Sequence, residues 1–301
     1  MSEALDELEK AINEKNEQAL IDITSKNTTS ERVKLREDYK AKFGRDLLED
    51  FEKNFKSDFL ETIIGVFKSP AEYDADLLYK AMKGIGSDKD IITEVLCFRN
   101  PERINEIKAK FQEKYGKDLV AEVKSETSGD YQAIVLHLLE GNRGGEKPDV
   151  EKCSKVAEEL YKAGEGKIGT DESVFIKYFT TLSPDELLIV CKEYHKQYKK
   201  NMLDVIENEF GGDVKKLLTV MLYALYSPSE FFAKQIMDSI KGVGTDDAKL
   251  IRSIISRYSI DMKKVKKYFK KMYNKELLDE VKSDVSGNYG RILETLINKH
   301  D

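Results

Sequence analysis

Tyr115-Gly116-Lys117-Asp118-Leu119 recurs in variant form at three other places: Phe43-Gly44-Arg45-Asp46-Leu47, Tyr198-Lys199-Lys200-Asn201-Met202 and Tyr273-Asn274-Lys275-Glu276-Leu277. The first residues lie 72, 83 and 75 positions apart. A chemically unrelated pattern keeps the same offsets. It is an apolar stripe at i, i+3, i+4, i+7, i+8, which marks a helix that buries one face. Its copies are Phe59, Thr62, Ile63, Val66, Phe67; Tyr131, Ile134, Val135, Leu138, Leu139; Val214, Leu217, Leu218, Met221, Leu222; and Tyr289, Ile292, Leu293, Leu296, Ile297. Thr62 is the one polar intruder. Two independent patterns sharing three irregular offsets indicate a fourfold internal repeat.

The repeat boundaries follow from the prolines and glycines. Repeats are expected over residues 1–69, 70–147, 148–227 and 228–301, with Pro70, Pro148 and Pro228 between them. Pro101 and Pro184, 83 apart, suit first helical turns. The stretch Gly141-Asn142-Arg143-Gly144-Gly145-Glu146-Lys147-Pro148 reads as a connector between the two halves and accounts for the longest offset. In repeat two the pattern predicts helices near residues 73–82, 89–98, 101–115, 117–124 and 128–140. Strand-like alternation is absent. The fold class expected is all-α, four homologous units of five short helices each, stacked so that neighbours bury what one unit cannot.

Composition narrows function. In 301 residues, 40% are hydrophobic and 35% charged, and no stretch approaches a membrane-spanning helix. The start, MSEALDELEK, is acidic and helix-forming and does not read as a secretory signal. Cys97, Cys153 and Cys191 are odd in number and far apart, which favours a reducing, cytoplasmic setting over a disulfide framework. The net charge of -6 argues against nucleic acid as a partner and against simple polybasic attachment to anionic lipid. Binding to a phosphate surface would need positive charge from another source.

Glycine loops occupy matching places in repeats two to four: Met82-Lys83-Gly84-Ile85-Gly86-Ser87-Asp88, Gly164-Glu165-Gly166-Lys167-Ile168-Gly169-Thr170-Asp171 and Ile240-Lys241-Gly242-Val243-Gly244-Thr245-Asp246. Each alone reads as a helix stop followed by a capped helix start. The residue 40 positions beyond each last glycine is an acid: Glu126 from Gly86, Glu209 from Gly169, Asp284 from Gly244. A carboxylate near a helix N-terminus has an electrostatic use of its own, yet three acids at one offset from three such loops fit a metal site better. A tight glycine loop turns backbone carbonyls toward one point, and a carboxylate closes the shell. All-oxygen sites of this kind suit Ca²⁺ and not Zn²⁺. One carboxylate with neutral carbonyls should bind weakly, in the ~10⁻⁴–10⁻³ M range. Open coordination positions would take water or an outside oxygen such as a lipid phosphate, and the bound ion would supply the missing positive charge.

The segments AMKGIGSDKDIITEVL, YGKDLVAEVKSETSGDYQ, AGEGKIGTDESVF, IKGVGTDDAKLIRSIISR and KFGRDLLEDF resemble annexin repeats, and the similarity covers essentially the whole chain. The resemblance implies a curved disk of four five-helix repeats that docks reversibly on anionic phospholipid when calcium rises. It implies Ca²⁺ ligands at the carbonyls of Met82, Gly84 and Gly86 with the side chain of Glu126. In repeat three they would be the carbonyls of Gly164, Lys167 and Gly169 with Glu209; in repeat four, those of Ile240, Gly242 and Gly244 with Asp284. Ile240 stands where the family usually has methionine, and only its carbonyl is needed. Weaker family sites pair a loop threonine carbonyl with a carboxylate two residues on; Thr170 with Glu172 and Thr245 with Asp247 match, Ser87 with Lys89 does not. Repeat one departs: Ala11-Ile12-Asn13-Glu14-Lys15-Asn16 has no glycine, and Asn54 stands at the carboxylate position. The variable N-terminal tail of the family is expected to be nearly missing. Asp74, Glu94 and Arg99 match polar residues that line the family's central channel, and Arg252 and Arg257 look similar. Paired structural charge explains these residues as well as conduction does.

No EF-hand loop occurs, and the lysine of Gly164–Thr170 is misplaced for a phosphate loop. His137, His195 and His300 lack metal-binding or catalytic company in sequence. The expected function is therefore Ca²⁺-dependent phospholipid binding rather than catalysis. The alternative is a helical scaffold for cytoskeletal or other protein partners, with calcium secondary.

Overall fold

A computed structural model describes residues 2–84, 86–140 and 147–299. Its regular elements are helices, five in each repeat. The first repeat holds α1 (Ser2–Asn13), α2 (Glu17–Lys26), α3 (Thr29–Phe43), α4 (Leu47–Asn54) and α5 (Ser57–Val66). The second holds α6 (Pro70–Met82), α7 (Lys89–Cys97), α8 (Pro101–Tyr115), α9 (Leu119–Glu126) and α10 (Gly129–Leu139). The third holds α11 (Val150–Ala163), α12 (Glu172–Thr181), α13 (Pro184–Tyr198), α14 (Met202–Glu209) and α15 (Gly212–Tyr226). The fourth holds α16 (Pro228–Ile240), α17 (Asp247–Ile255), α18 (Met262–Tyr273), α19 (Leu277–Asp284) and α20 (Gly287–Asn298). Pro70, Pro101, Pro184 and Pro228 each open a helix, where the missing N–H is not needed.

The five-residue signature is the junction between the third and fourth helices. Its second residue terminates the third helix in the left-handed conformation: Gly44, Gly116, Lys199 and Asn274 have φ of 69, 65, 58 and 54°. Two residues later comes the cap of the fourth helix, where the side chains of Asp46, Asp118 and Asn201 accept from the backbone N–H groups of Leu48, Ala121 and Leu203. This stop-and-start chemistry places α9 at Leu119, two residues later than the helix expected from residue 117. The connector residues 141–146 lie outside the described residues.

The apolar stripes are the core. Phe59, Thr62, Ile63, Val66 and Phe67 are buried, as are Tyr131, Ile134, Val135, Leu138 and Leu139. In the third and fourth repeats all but the first residue of the stripe are buried. Thr62 is tolerated because its hydroxyl donates to the Asp58 carbonyl at 2.7 Å, one turn back.

The helices gather into two compact units. One comprises Met1–Tyr73 with Ser229–Asp301, the other Asp74–Pro228. In the first unit α5 packs on α17 and α20, and α2 on α20. Gly65 permits the close approach: a Cβ there would lie 2.5 Å from Ile255 Cδ1. In the second unit α15 packs on α7 and α10, and α10 on α12. Arg99 forms a twofold bond with Asp74 in the second unit, at 2.6 and 2.8 Å, and Arg257 pairs with Asp261 in the first.

Candidate metal centre

In repeats two, three and four the loop between the first and second helices is closed by one backbone hydrogen bond. Asp88 N–H donates to the Ala81 carbonyl, Asp171 N–H to Ala163 and Asp246 N–H to Ser239, at 2.8, 2.7 and 2.8 Å. Between those anchors the chain must reverse tightly. Gly84 and Gly242 take φ of 110 and 112°, and Gly86, Gly169 and Gly244 take 81, 80 and 85°. A side chain is strained at such angles, so these positions need glycine. The third loop is one residue longer, and Gly164 enters it with φ -115° instead.

The distant carboxylates arrive at these loops. Glu126, Glu209 and Asp284 are the last residues of α9, α14 and α19. The hydroxyl after the final loop glycine reaches each of them. Thr170 Oγ1 donates to Glu209 Oε2, and Thr245 Oγ1 to Asp284 Oδ2 at 2.5 Å. Ser87 Oγ donates to the Glu126 carbonyl at 2.9 Å and lies 3.4 Å from its Oε2. Thus the three pairings expected from the 40-residue offset are juxtaposed in space. The hydroxyl that joins them was not singled out for this role in the sequence, although it directly follows the last glycine every time.

The donor set fits a hard cation. Among the described residues, the carbonyls of Met82, Gly84, Gly86, Lys167, Gly169, Ile240, Gly242 and Gly244 accept no hydrogen bond. The Gly164 carbonyl accepts from Lys167 N–H at 3.1 Å, leaving one lone pair. Unpaired carbonyls beside one carboxylate form an oxygen-only set of low charge. Among the described residues no group of three or more His, Cys, Asp or Glu is placed to hold a metal ion, so a site at these loops rests on carbonyl oxygens with a single carboxylate.

At the fourth loop negative charge accumulates. The Asp247 carboxylate accepts from Tyr289 Oη at 2.9 Å. Burial pushes its carboxyl above the ordinary aspartate value; the Tyr289 hydroxyl opposes, and repulsion from Asp58, Asp284 and Asp246 adds to the rise. Such repulsion is relieved by a cation. At the loop tips, Ile168 and Val243 are fully exposed; Ile85 lies outside the described residues.

Repeat one is built differently. Its closing bond, Asn16 N–H to the Ala11 carbonyl at 2.8 Å, spans five residues where the second and fourth loops span seven. Asn54 turns its amide back to the Asp50 carbonyl at 2.8 Å. The short loop has neither the glycines nor the acid of the others.

Comparison with known proteins follows the same division. The family model described as Annexin matches residues 3–66, 73–138, 155–221 and 231–296. Human annexin A13 is 35% identical over 284 residues, 94% of this chain and 90% of that protein. Bovine annexin A8 is 36% identical over 284 residues, 94% of this chain and 87% of that protein. Among solved structures, annexin III superposes with a TM-score of 0.93 at 31% identity, over 100% of this chain and 94% of the other. The calcium-bound structure of annexin (Sm)1 gives 0.86 at 26% identity, over 100% of this chain and 90% of the other.

Proposed function

The chain belongs to the annexin family, and from that premise we propose that it docks reversibly on anionic membranes through Ca²⁺ shared between its loops and lipid phosphate. Binding phospholipid in a calcium-dependent way is the general property of the family. The finer reading for this chain is carried by one observation: a loop hydroxyl bonded to a carboxylate that lies 39 residues further along, repeated in three repeats. Each such pair sets unpaired loop carbonyls beside one carboxylate. A Ca²⁺ ion there would be held by the carbonyls of Met82, Gly84 and Gly86 with Glu126, of Gly164, Lys167 and Gly169 with Glu209, and of Ile240, Gly242 and Gly244 with Asp284. The chain's part is to orient these oxygens and leave the outward coordination positions to water or phosphate. When bound, the ion supplies the positive charge that the acidic chain lacks.

This is a binding role and not an enzymatic one: the site offers carbonyl oxygens and a single carboxylate. A peripheral, cytoplasmic protein recruited by calcium fits the reading. No helix among the described residues is long and apolar enough to cross a membrane. The test is co-sedimentation with phosphatidylserine vesicles at physiological salt. The protein should pellet in Ca²⁺ and return to the supernatant on chelation. Equal pelleting in chelator would overturn the proposal and favour an ordinary lipid or protein adaptor.

A further inference from the structure

Repeat one keeps the plan of the calcium loops and changes their chemistry. Its loop closes through Asn16 N–H on the Ala11 carbonyl, as the others close through Asp88, Asp171 and Asp246. The residue before the closing one is Ser87, Thr170 or Thr245 in those loops and Lys15 here. The first three carry the hydroxyl that reaches the carboxylate. Lys15 carries a positive charge instead, on left-handed backbone with φ 52°. The cap position of the fifth helix shows a second exchange: Ser128, Gly211 and Ser286 in repeats two to four, Lys56 in repeat one. With Asn54 at the carboxylate position, the repeat that lacks the acid carries two lysines that its counterparts lack.

Both lysines and Asn54 line one cavity of about 530 Å³ within the first unit, a size that suits a small ligand. The cavity borders the fourth loop: it is also lined by Ser286, just beyond Asp284, and by Tyr289, whose hydroxyl donates to Asp247. Two acids share its wall, Glu17 and Asp58. Glu17 Oε2 accepts from the Asn288 amide at 2.7 Å. The Asp58 carboxylate has no hydrogen-bonded or ionic partner among the described residues. The side chains of Lys15 and Lys56 have none there either, and both residues are exposed. Two cations and two anions therefore line one cavity without forming ion pairs with each other. Opposite charges kept apart in this way match a molecule that carries both signs, and the acids disfavour a bare anion.

We propose that this cavity binds, without calcium, the headgroup of an aminophospholipid: a phosphate diester bearing a primary ammonium group, with Lys15 and Lys56 holding the phosphate and Asp58 the ammonium. The inference rests on the membrane reading given above. The two lysines supply as side chains the positive charge that the other repeats take from the ion. The fourth loop, beside the cavity, brings lipid headgroups to it. Lysine suits a phosphate as a point charge. A carboxylate favours an ammonium that donates N–H over a trimethylated one, which has no N–H to donate. One such contact does not hold the molecule on a bilayer by itself. It adds to the calcium anchors and biases them toward aminophospholipid.

The experiment has a soluble arm and a vesicle arm. In chelator, glycerophosphoethanolamine and glycerophosphocholine are titrated while the backbone amide NMR signals of residues 15–17 and 56–58 are followed. Glycerophosphoethanolamine should move these signals, and glycerophosphocholine should bind about tenfold more weakly. Lys15→Gln/Lys56→Gln, on exposed positions and with its melting curve measured, should lose the response. Asp58→Asn should bind both probes alike. In the vesicle arm, phosphatidylglycerol is mixed with either phosphatidylethanolamine or phosphatidylcholine, and the Ca²⁺ needed for pelleting is compared. The native protein should need a few fold less with phosphatidylethanolamine, and the lysine variant should lose that preference. No response of the native protein to glycerophosphoethanolamine, or an unchanged response in the lysine variant, overturns the proposal. Equal responses to the two probes in the native protein overturn the role of Asp58 and with it the aminophospholipid assignment. A soluble response without a vesicle preference would assign the cavity to a free phosphoamine and overturn the lipid assignment. Failure of the calcium reading shows separately, as native protein that pellets with neither vesicle in Ca²⁺, and leaves the titrations in chelator unaffected.

Discussion

Lys199 and Ser57 adopt left-handed backbone, both with φ 58°, a region that crowds the Cβ of every residue but glycine. The other repeats identify what each position asks for. Lys199 corresponds to Gly44 and Gly116, with φ 69 and 65°, and Ser57 to Gly129, Gly212 and Gly287, with φ 61, 57 and 64°. A side chain there costs about 1–2 kcal/mol, partly offset because glycine has more freedom to lose on folding. Ser57→Gly and Lys199→Gly should each therefore stabilise the protein by about 0.5–1 kcal/mol in urea denaturation. A loss of stability in either would mean that its side chain makes a contact worth more than the strain. The strain at Lys199 could not be read from the residue alone, since lysine carries no signal for left-handed backbone. It becomes legible only by aligning the repeats.

At the scale of the element, the loops and helices differ in how openly they declare themselves. Five-helix repeats were legible because the apolar stripe and the junction signature keep one set of offsets, and the carboxylates were legible because they keep one distance from the glycines. The bonds from Ser87, Thr170 and Thr245 were not, because a hydroxyl after a glycine looks like any helix cap. Two predictions belong here. The exposed tip residue Ile168 has no core contact to lose, so Ile168→Asp should weaken vesicle binding at fixed Ca²⁺ without lowering the melting temperature. The reverse outcome would make it a packing residue. Asp247 titrates above its unfolded value near 3.8, so its ionisation opposes folding. That penalty is absent below the unfolded value, grows as pH rises through the native one and is complete above it. In chelator, Asp247→Asn should therefore melt at a higher temperature than the native chain at pH 7 and show no advantage at pH 3. An advantage at pH 3 alone would contradict the burial and repulsion described for this carboxyl.

For the whole molecule, the proposed function has three weak sites acting through one chain. Glu126→Gln, Glu209→Gln and Asp284→Asn keep shape and remove charge. Each should shift the calcium needed for vesicle binding upward by a few fold, whereas the triple variant should lose most binding, because linked contacts multiply rather than add. A triple variant with an unchanged calcium titration would refute the ligand assignment, and substitution of Asn54 should leave the titration where it was. The division of the chain into units has a consequence of another kind. The second unit is one continuous stretch, Asp74–Pro228, whereas the first needs both Met1–Tyr73 and the segment from Ser229 onward. A ribosome therefore releases the first repeat long before the helices it packs on. The intervening 155 residues, 74 to 228 inclusive, take about 8–30 s to translate. Throughout that interval Phe59, Ile63 and Phe67 wait without α17 and α20. In the nascent chain this stripe is an open apolar face, and the newborn first repeat is the segment that a holding chaperone would grip.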